Sequence, residues 1–233
     1  MRIRATIVKI PVIGQTARSI YVGLRRRFRK FSGSQTYWEK RYARGGNSGV
    51  GSYGRLREFK ADVINSFVRE KGIKSVIEFG CGDGSQLSLA KYTEYTGLDV
   101  SPTAIKLCQE KFAGDTSKKF SLFEPGNPSA KNDWGRADLG LSLDVVYHLV
   151  EDEAFEEYMK VLFSAAKKYV IIYSSDYDES QSYHVKHRKF TRWINQNAAD
   201  WQLVQKIDNI YPYNATNAEN TSWSNFYIFR KTR

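Results

Sequence analysis

Apolar positions recur at helical spacing over residues 55–71 (RLREFKADVINSFVREK), where Leu56, Phe59, Val63, Ile64 and Phe67 share one face and Gly72 ends the run. The apolar run SVIEFG (75–80) then reads as a buried strand and QLSLAKY as a helix. TGLDV closes a second strand near residue 99, and PTAIKLCQEKF forms a helix with Pro102 in its first turn, where a missing N–H costs nothing. FSLFE (120–124) and ADLGLSLD (137–144) are the third and fourth strands. EDEAFEEYMKVLFSAAKK (151–168) is an amphipathic helix with acids at its dipole-positive start. YVIIYSS (169–175) is the fifth strand, and after a short helix around FTRWI the strands WQLVQKI (201–207) and SNFYIFRK (224–231) bring the count to seven. This alternation predicts an α/β protein with a mostly parallel sheet and helices on both faces. No obvious helix separates the last two strands, which suits an antiparallel pair. Ligands of such sheets gather at the carboxyl ends of the strands.

Ahead of this domain the pattern is different. Residues 16–31 (TARSIYVGLRRRFRKF) place Ile20, Leu24, Phe28 and Phe31 on one stripe beside an arginine-rich face, the form of a basic helix that rests on anionic lipid. A solvated or partner-bound extension is the alternative. The chain carries a formal net charge of +11, but residues 1–30 hold nine bases and no acid, leaving 27 bases against 25 acids elsewhere. A body so near neutrality argues against a nucleic-acid partner, which would need a broad basic surface. Three parts follow: a basic extension (1–35), an aromatic and glycine-rich segment (36–54) and the main domain (55–233). The only cysteines, Cys81 and Cys108, suit a reducing compartment. No stretch approaches the roughly 18–20 apolar residues of a membrane span. The expected location is the cytoplasm, with peripheral contact at the inner face of the membrane through residues 1–30.

The chemistry centres on EFGCGDG, residues 78–84, directly after the first strand. Glycines at 80, 82 and 84 permit a sharp turn and leave no Cβ to obstruct a ligand lying on the backbone. A dinucleotide fingerprint would place the third glycine three positions after the second, and a phosphate loop would continue with Gly-Lys-Ser/Thr; neither pattern is present. The acid-x-Gly-x-Gly-x-Gly spacing resembles motif I of the class I S-adenosylmethionine (SAM) dependent methyltransferases, and Asp99 follows Gly80 by nineteen residues, as the ribose-binding acid of that family does. The resemblance implies a Rossmann-like seven-stranded sheet with an antiparallel last strand and SAM as cofactor, with no metal assigned. It also implies that Gly80, Cys81, Gly82 and Gly84 line the amino-acid end of SAM. Glu78 would orient the methionine amino group and Asp99 accept both ribose hydroxyls. For the adenine, Glu124, Asn127 and Asp133 are all available, with Asn127 the residue taken forward; Trp134 either stacks on the ring or belongs to the core.

In this family the end of the fourth strand, here LSLDVVYHLVED, lies beside the reactive methyl. A hydroxyl acceptor needs its proton removed, for which imidazole is the natural base. His148 is the first candidate, with Asp144 orienting it or contacting the acceptor. His184 and His187, in HVKHRKF with Arg188, are alternatives as base or as an anion site. Zinc is a poor reading of that pair, which has no nearby cysteine. Tyr37, Trp38, Tyr42 and Tyr53 flank the glycine-rich run 45–54, a composition suited to a lid whose aromatic faces attract a sulfonium. Over residues 36–230 the chain also looks similar to bacterial methyltransferases of surface polysaccharides. That likeness implies O-methylation of a sugar in a glycan or glycolipid. A soluble metabolite as the N- or O-methyl acceptor, and a SAM-binding module without turnover, are the rival readings.

Overall fold

Each apolar run forms a strand of one sheet: β1 (Ser75–Phe79), β2 (Glu94–Asp99), β3 (Lys118–Leu122), β4 (Ala137–Leu143), β5 (Ala166–Ser174), β6 (Trp201–Ile207) and β7 (Asn225–Lys231). The computed structural model describes residues 31–126, 134–179 and 182–232, with Gly33–Arg233 as one compact unit. The basic stripe expected within residues 16–31 therefore falls, apart from Phe31, outside the described residues, as do Asn127 and Asp133. The strand order is β3-β2-β1-β4-β5-β7-β6. All described pairings are parallel except those of β7, which runs antiparallel to both β5 and β6. All seven residues of β4 are buried, as expected of a strand covered on both faces.

Five helices accompany the sheet among the described residues: α1 (Ser34–Ala43), α2 (Gly54–Lys71), α3 (Pro102–Lys111), α4 (Asp152–Ala165) and α5 (Phe190–Asn197). Phe155, Tyr158, Met159, Leu162 and Phe163 of α4 recur at spacings of three, one, three and one, and so bury one stripe together with Phe190 and Ile194 of α5. Phe59, Ile64, Phe67 and Val68 of α2 join Ile105 and Cys108 of α3 in a second cluster. No helix among the described residues is long and apolar enough to cross a membrane.

The segment QLSLAKY departs from expectation, forming a single 3-10 turn at Leu87–Leu89 instead of a helix. Side chains of α2 and this segment tie the backbones together: Asn65 donates to the Leu89 carbonyl and accepts from Lys91 N–H, both at 2.9 Å, while Gln86 donates to the Arg57 carbonyl at 3.1 Å. α4 also ends three residues early, because Ala166 enters the ladder opposite Ala137. Trp134 packs edge-on against Phe123, with ring centroids 6.1 Å apart, and so joins the core.

The chain progresses from β1 outward through β2 to β3, then returns to place β4 on the other side of β1. Such a reversal opens a crevice at the carboxyl ends of β1 and β4.

Candidate active site

β1 ends into Gly80, whose N–H and that of Cys81 both donate to the Leu98 carbonyl, at 2.7 and 3.0 Å. Gly80 and Gly82 have φ of 85° and 57°, in the left-handed region. A Cβ would also have no room: at Gly80 it would lie 2.4 Å from Val145 Cγ2 and at Gly82 2.3 Å from Ser48 Oγ. The Gly82 N–H donates to Asp99 Oδ2 at 2.9 Å, and Ser101 N–H donates to Asp99 Oδ1 at 2.9 Å, so the turn and the end of β2 hold one another.

A cavity of about 350 Å³ opens here, in the size range of small-molecule sites. Its walls include Glu78, Gly80, Cys81, Gly82 and Asp99 from the β1 and β2 side, and Asp144, Val145 and His148 from the β4 side. Trp38 and Tyr42 of α1 and Ser48 and Ser52 of the following loop complete it. Of the residues the sequence singled out, Gly84, Tyr37, Tyr53, Trp134, His184, His187 and Arg188 lie outside this lining, and so does Glu124, which is exposed. Gly84 instead admits the ring of Phe112 and Cys108 Sγ against the turn.

The buried carboxyls are perturbed. Burial pushes Glu78 up to about 7, against the opposing hydrogen bond from Tyr95 O–H at 2.6 Å and the nearby charge of Lys60. Burial likewise raises Asp99 to about 6, despite its backbone donors. Each is poised to become a full anion when a cation arrives beside it.

Asp144 takes a left-handed conformation (φ 60°), which an aspartate tolerates better than most residues, and its N–H donates to the Tyr173 carbonyl. Its Oδ1 accepts from Tyr147 O–H at 3.0 Å and Ser224 O–H at 2.9 Å; its Oδ2 accepts from Lys60 Nζ at 2.7 Å. Lys60 is 1% exposed and was not foreseen, although it shares the α2 stripe of Leu56 and Ile64 at four-residue spacing. A lysine within an apolar stripe is the signal that it has a buried partner.

His148 sits in the 3-10 turn Val146–His148. Its Nδ1 lies 3.1 Å from the His184 carbonyl, which can only accept, so Nδ1 carries the proton and Nε2 the lone pair. Burial pushes its pKa down to about 4. Trp38 meets the ring edge-on at 4.9 Å, and His184 stacks on it at 5.2 Å and on Tyr37 at 4.4 Å. His187 is held elsewhere, with Nδ1 2.6 Å from Ser175 Oγ. Arg188 is not available to an anionic ligand: it donates to the carbonyls of Leu149 and Val150 and to Asp152.

The segment before α2 closes over the turn. Ser48 and Asp83 exchange two hydrogen bonds of 3.0 Å, and Tyr53 O–H donates to Asp83 at 2.9 Å. Against the upward pull of burial, these bonds and that of Ser85 N–H hold the Asp83 pKa below its ordinary value. α1 bridges the crevice: Ser34 binds Glu151 and the His148 carbonyl, while Glu39 accepts from Ser101 O–H and from both N–H and O–H of Thr103 at the start of α3. Neither Asp83 nor Glu39 was singled out by the sequence.

A sharp glycine-containing turn, two buried acids and an enclosing aromatic helix around one cavity fit a cationic nucleoside with an amino-acid tail. The Gly80–Gly82 turn, Glu78 and Asp99 are the residues able to hold it. Known proteins agree with this chemistry. Residues 77–172 match a family described as a methyltransferase domain. A small RNA 2'-O-methyltransferase of Arabidopsis thaliana is 25% identical over 180 residues; the match covers 72% of this chain but 19% of the plant protein, so the chain spans about a fifth of that relative's length. Among solved structures, the N-methyltransferase NodS of Bradyrhizobium japonicum, in complex with S-adenosyl-L-homocysteine, superposes with a TM-score of 0.62 at 15% identity, covering 87% of this chain and 100% of NodS. The methyltransferase domain of bacterial CtHen1-C gives a TM-score of 0.56 at 18% identity, covering 75% of this chain and 97% of that domain. These structural likenesses establish the fold, and residues 77–172 form a methyltransferase domain, with S-adenosylmethionine as its cofactor.

Proposed function

We propose that the enzyme methylates a hydroxyl of a sugar, in a surface glycan or glycolipid, with His148 as general base. Bound in the cradle, SAM supplies an electrophilic methyl group on a good leaving group. The work left to the protein is to hold the acceptor in line and to take its proton. An alcohol keeps its proton at neutral pH, whereas an amine can present a lone pair unaided, so a neutral imidazole lining the cavity favours the hydroxyl. The observation that carries the reading is the tautomer of His148: Nδ1–H is committed to the His184 carbonyl, and Nε2 is left to accept. Because its pKa is about 4, the ring is neutral throughout the physiological range. His148 lines the cavity, as Asp144 does, whereas His184 and His187 do not. Asp144, fixed by Lys60, Tyr147 and Ser224, contacts the acceptor.

The name of the Arabidopsis relative also specifies methylation at oxygen. The near-neutral body outside residues 1–30 favours a neutral glycan over RNA as the acceptor here.

Methyl transfer from labelled SAM to saccharides and amines, with the position of the product methyl read by NMR, tests this reading. The expected product is an O-methyl sugar, formed about 10²- to 10⁴-fold more slowly by His148→Asn while SAM affinity is retained. An N-methyl product, or a wild-type rate in His148→Asn, would refute it.

A further inference from the structure

Three aromatic rings stand open to solvent on the acceptor side: Tyr177 (39% exposed), Tyr213 (42%) and Trp223 (39%). They form a continuous rank through a fourth ring. Tyr213 lies 4.4 Å from Trp223, Trp223 meets His187 edge-on at 5.3 Å, and His187 stacks on Tyr177 at 4.7 Å. This rank touches the machinery of the site at two places. Ser224, the neighbour of Trp223, donates to Asp144 Oδ1, and the His187 ring lies 5.9 Å from Tyr147, whose hydroxyl donates to the same oxygen.

We propose that Trp223, Tyr213 and Tyr177 are a platform on which a neutral sugar ring of the acceptor stacks, next to the cavity that performs the transfer. This rests on the sugar-hydroxyl reading and specifies how such an acceptor is held. A pyranose or furanose presents a face of C–H groups, which are apolar and slightly positive; the face of an aromatic ring is apolar and slightly negative. Stacking removes both from water while the sugar hydroxyls at the rim stay hydrated. Exposed aromatics gathered in one patch, rather than scattered, mark a binding surface.

The charges select among ring-bearing partners. The charged side chain that meets the platform is an acid: Glu179 lies 3.9 Å from His187 Nε2, and its charge helps, after burial, to raise the pKa of Tyr177. Burial lowers the pKa of His187 itself, against the opposing charge of Glu179. Of the flanking cations, Lys186 and Arg188 are paired with Asp152 and Arg192 with Asp178, whereas Lys189 is exposed and makes no ion pair among the described residues. Among the described residues, this surface offers a phosphate backbone no cluster of free cations, which an uncharged glycan does not need.

The test is methyl transfer by the full chain to a panel of neutral oligosaccharides of hexose and deoxyhexose units, aliphatic amines and octauridylate. Trp223→Ala and Tyr213→Ala are expected to raise KM for the methylated oligosaccharide at least about tenfold, to change kcat far less, and to leave the affinity for S-adenosylhomocysteine within about twofold. Trp223→Phe should recover most of the loss, because a flat ring remains. A methylated oligosaccharide whose KM ignores both alanine variants would overturn the platform while leaving the hydroxyl reading intact. Methylated amines would instead remove the hydroxyl reading, and an undiminished rate in His148→Asn would remove His148 as its base. Octauridylate as the preferred acceptor, or no methylated saccharide, would also overturn the platform.

Discussion

Glu78 is a buried acid that lines the cavity at the expense of the fold. Burial raises its pKa from an ordinary 4.5 to about 7, so between these values the folded chain holds a proton that the unfolded chain has released. Stability contributed by this group is therefore present below pH 4.5 and lost as pH rises through 7. Glu78→Gln keeps an acceptor for the Tyr95 hydroxyl and removes the ionisation. It is expected to stabilise the ligand-free protein by about 1–3 kcal/mol at pH 8 and to abolish this part of the pH dependence, while weakening SAM binding. Thermal melts across pH, with calorimetry of SAM binding, check both; a destabilised variant at pH 8 would show that burial is not what perturbs the acid. Glu78 was legible because it opens a motif with characteristic spacing. Lys60 was harder to see: a charge within an otherwise apolar stripe has no recognisable motif, and its partner Asp144 lies 84 residues away.

At the scale of elements, the loop between α1 and α2 is latched to the glycine turn chiefly through Asp83. This one carboxylate accepts from Ser48 N–H, Tyr53 O–H and Ser85 N–H. At Gly51 the loop backbone passes so close to the Asp144–Lys60 pair that a Cβ would lie 2.7 Å from Asp144 Oδ2. Asp83→Ala is expected to release the latch: amide exchange at residues 48–53 should accelerate, and SAM affinity should fall about tenfold through loss of charge-assisted hydrogen bonds. Unchanged exchange at these amides would mean the loop is held by other contacts. Strands were the most legible elements, since a buried strand such as β4 carries apolar residues along its length, with Leu139, Leu141 and Leu143 all buried. QLSLAKY misled because its local pattern suits a helix, whereas the Asn65 bonds to Leu89 and Lys91 that tie it to α2 are tertiary. The Ser48–Asp83 exchange was equally hidden, as Asp83 occupies a spacer position in the motif and its partner lies 35 residues earlier.

At the scale of the whole molecule, the sheet order places the two walls of the cavity on adjoining strands. β1 and β2 supply Glu78 and Asp99, β4 leads into Asp144 and His148, and α1 ties the two sides together through Glu39 and Ser34. The alternation of strands and helices made this architecture readable before any contact was known. The aromatic platform was not readable, because Tyr177 follows β5 while Tyr213 and Trp223 lie between β6 and β7, two segments that meet only in the fold. The whole account depends on the turn after β1 and the acid ending β2 gripping one ligand. Calorimetric titration of SAM into the wild-type chain and Asp99→Asn tests this most directly. One SAM should bind per wild-type chain, and the variant, which keeps an acceptor for Gly82 N–H but loses the charge, should bind at least about tenfold more weakly with its melting temperature retained. Equal affinity in the two proteins would contradict the account.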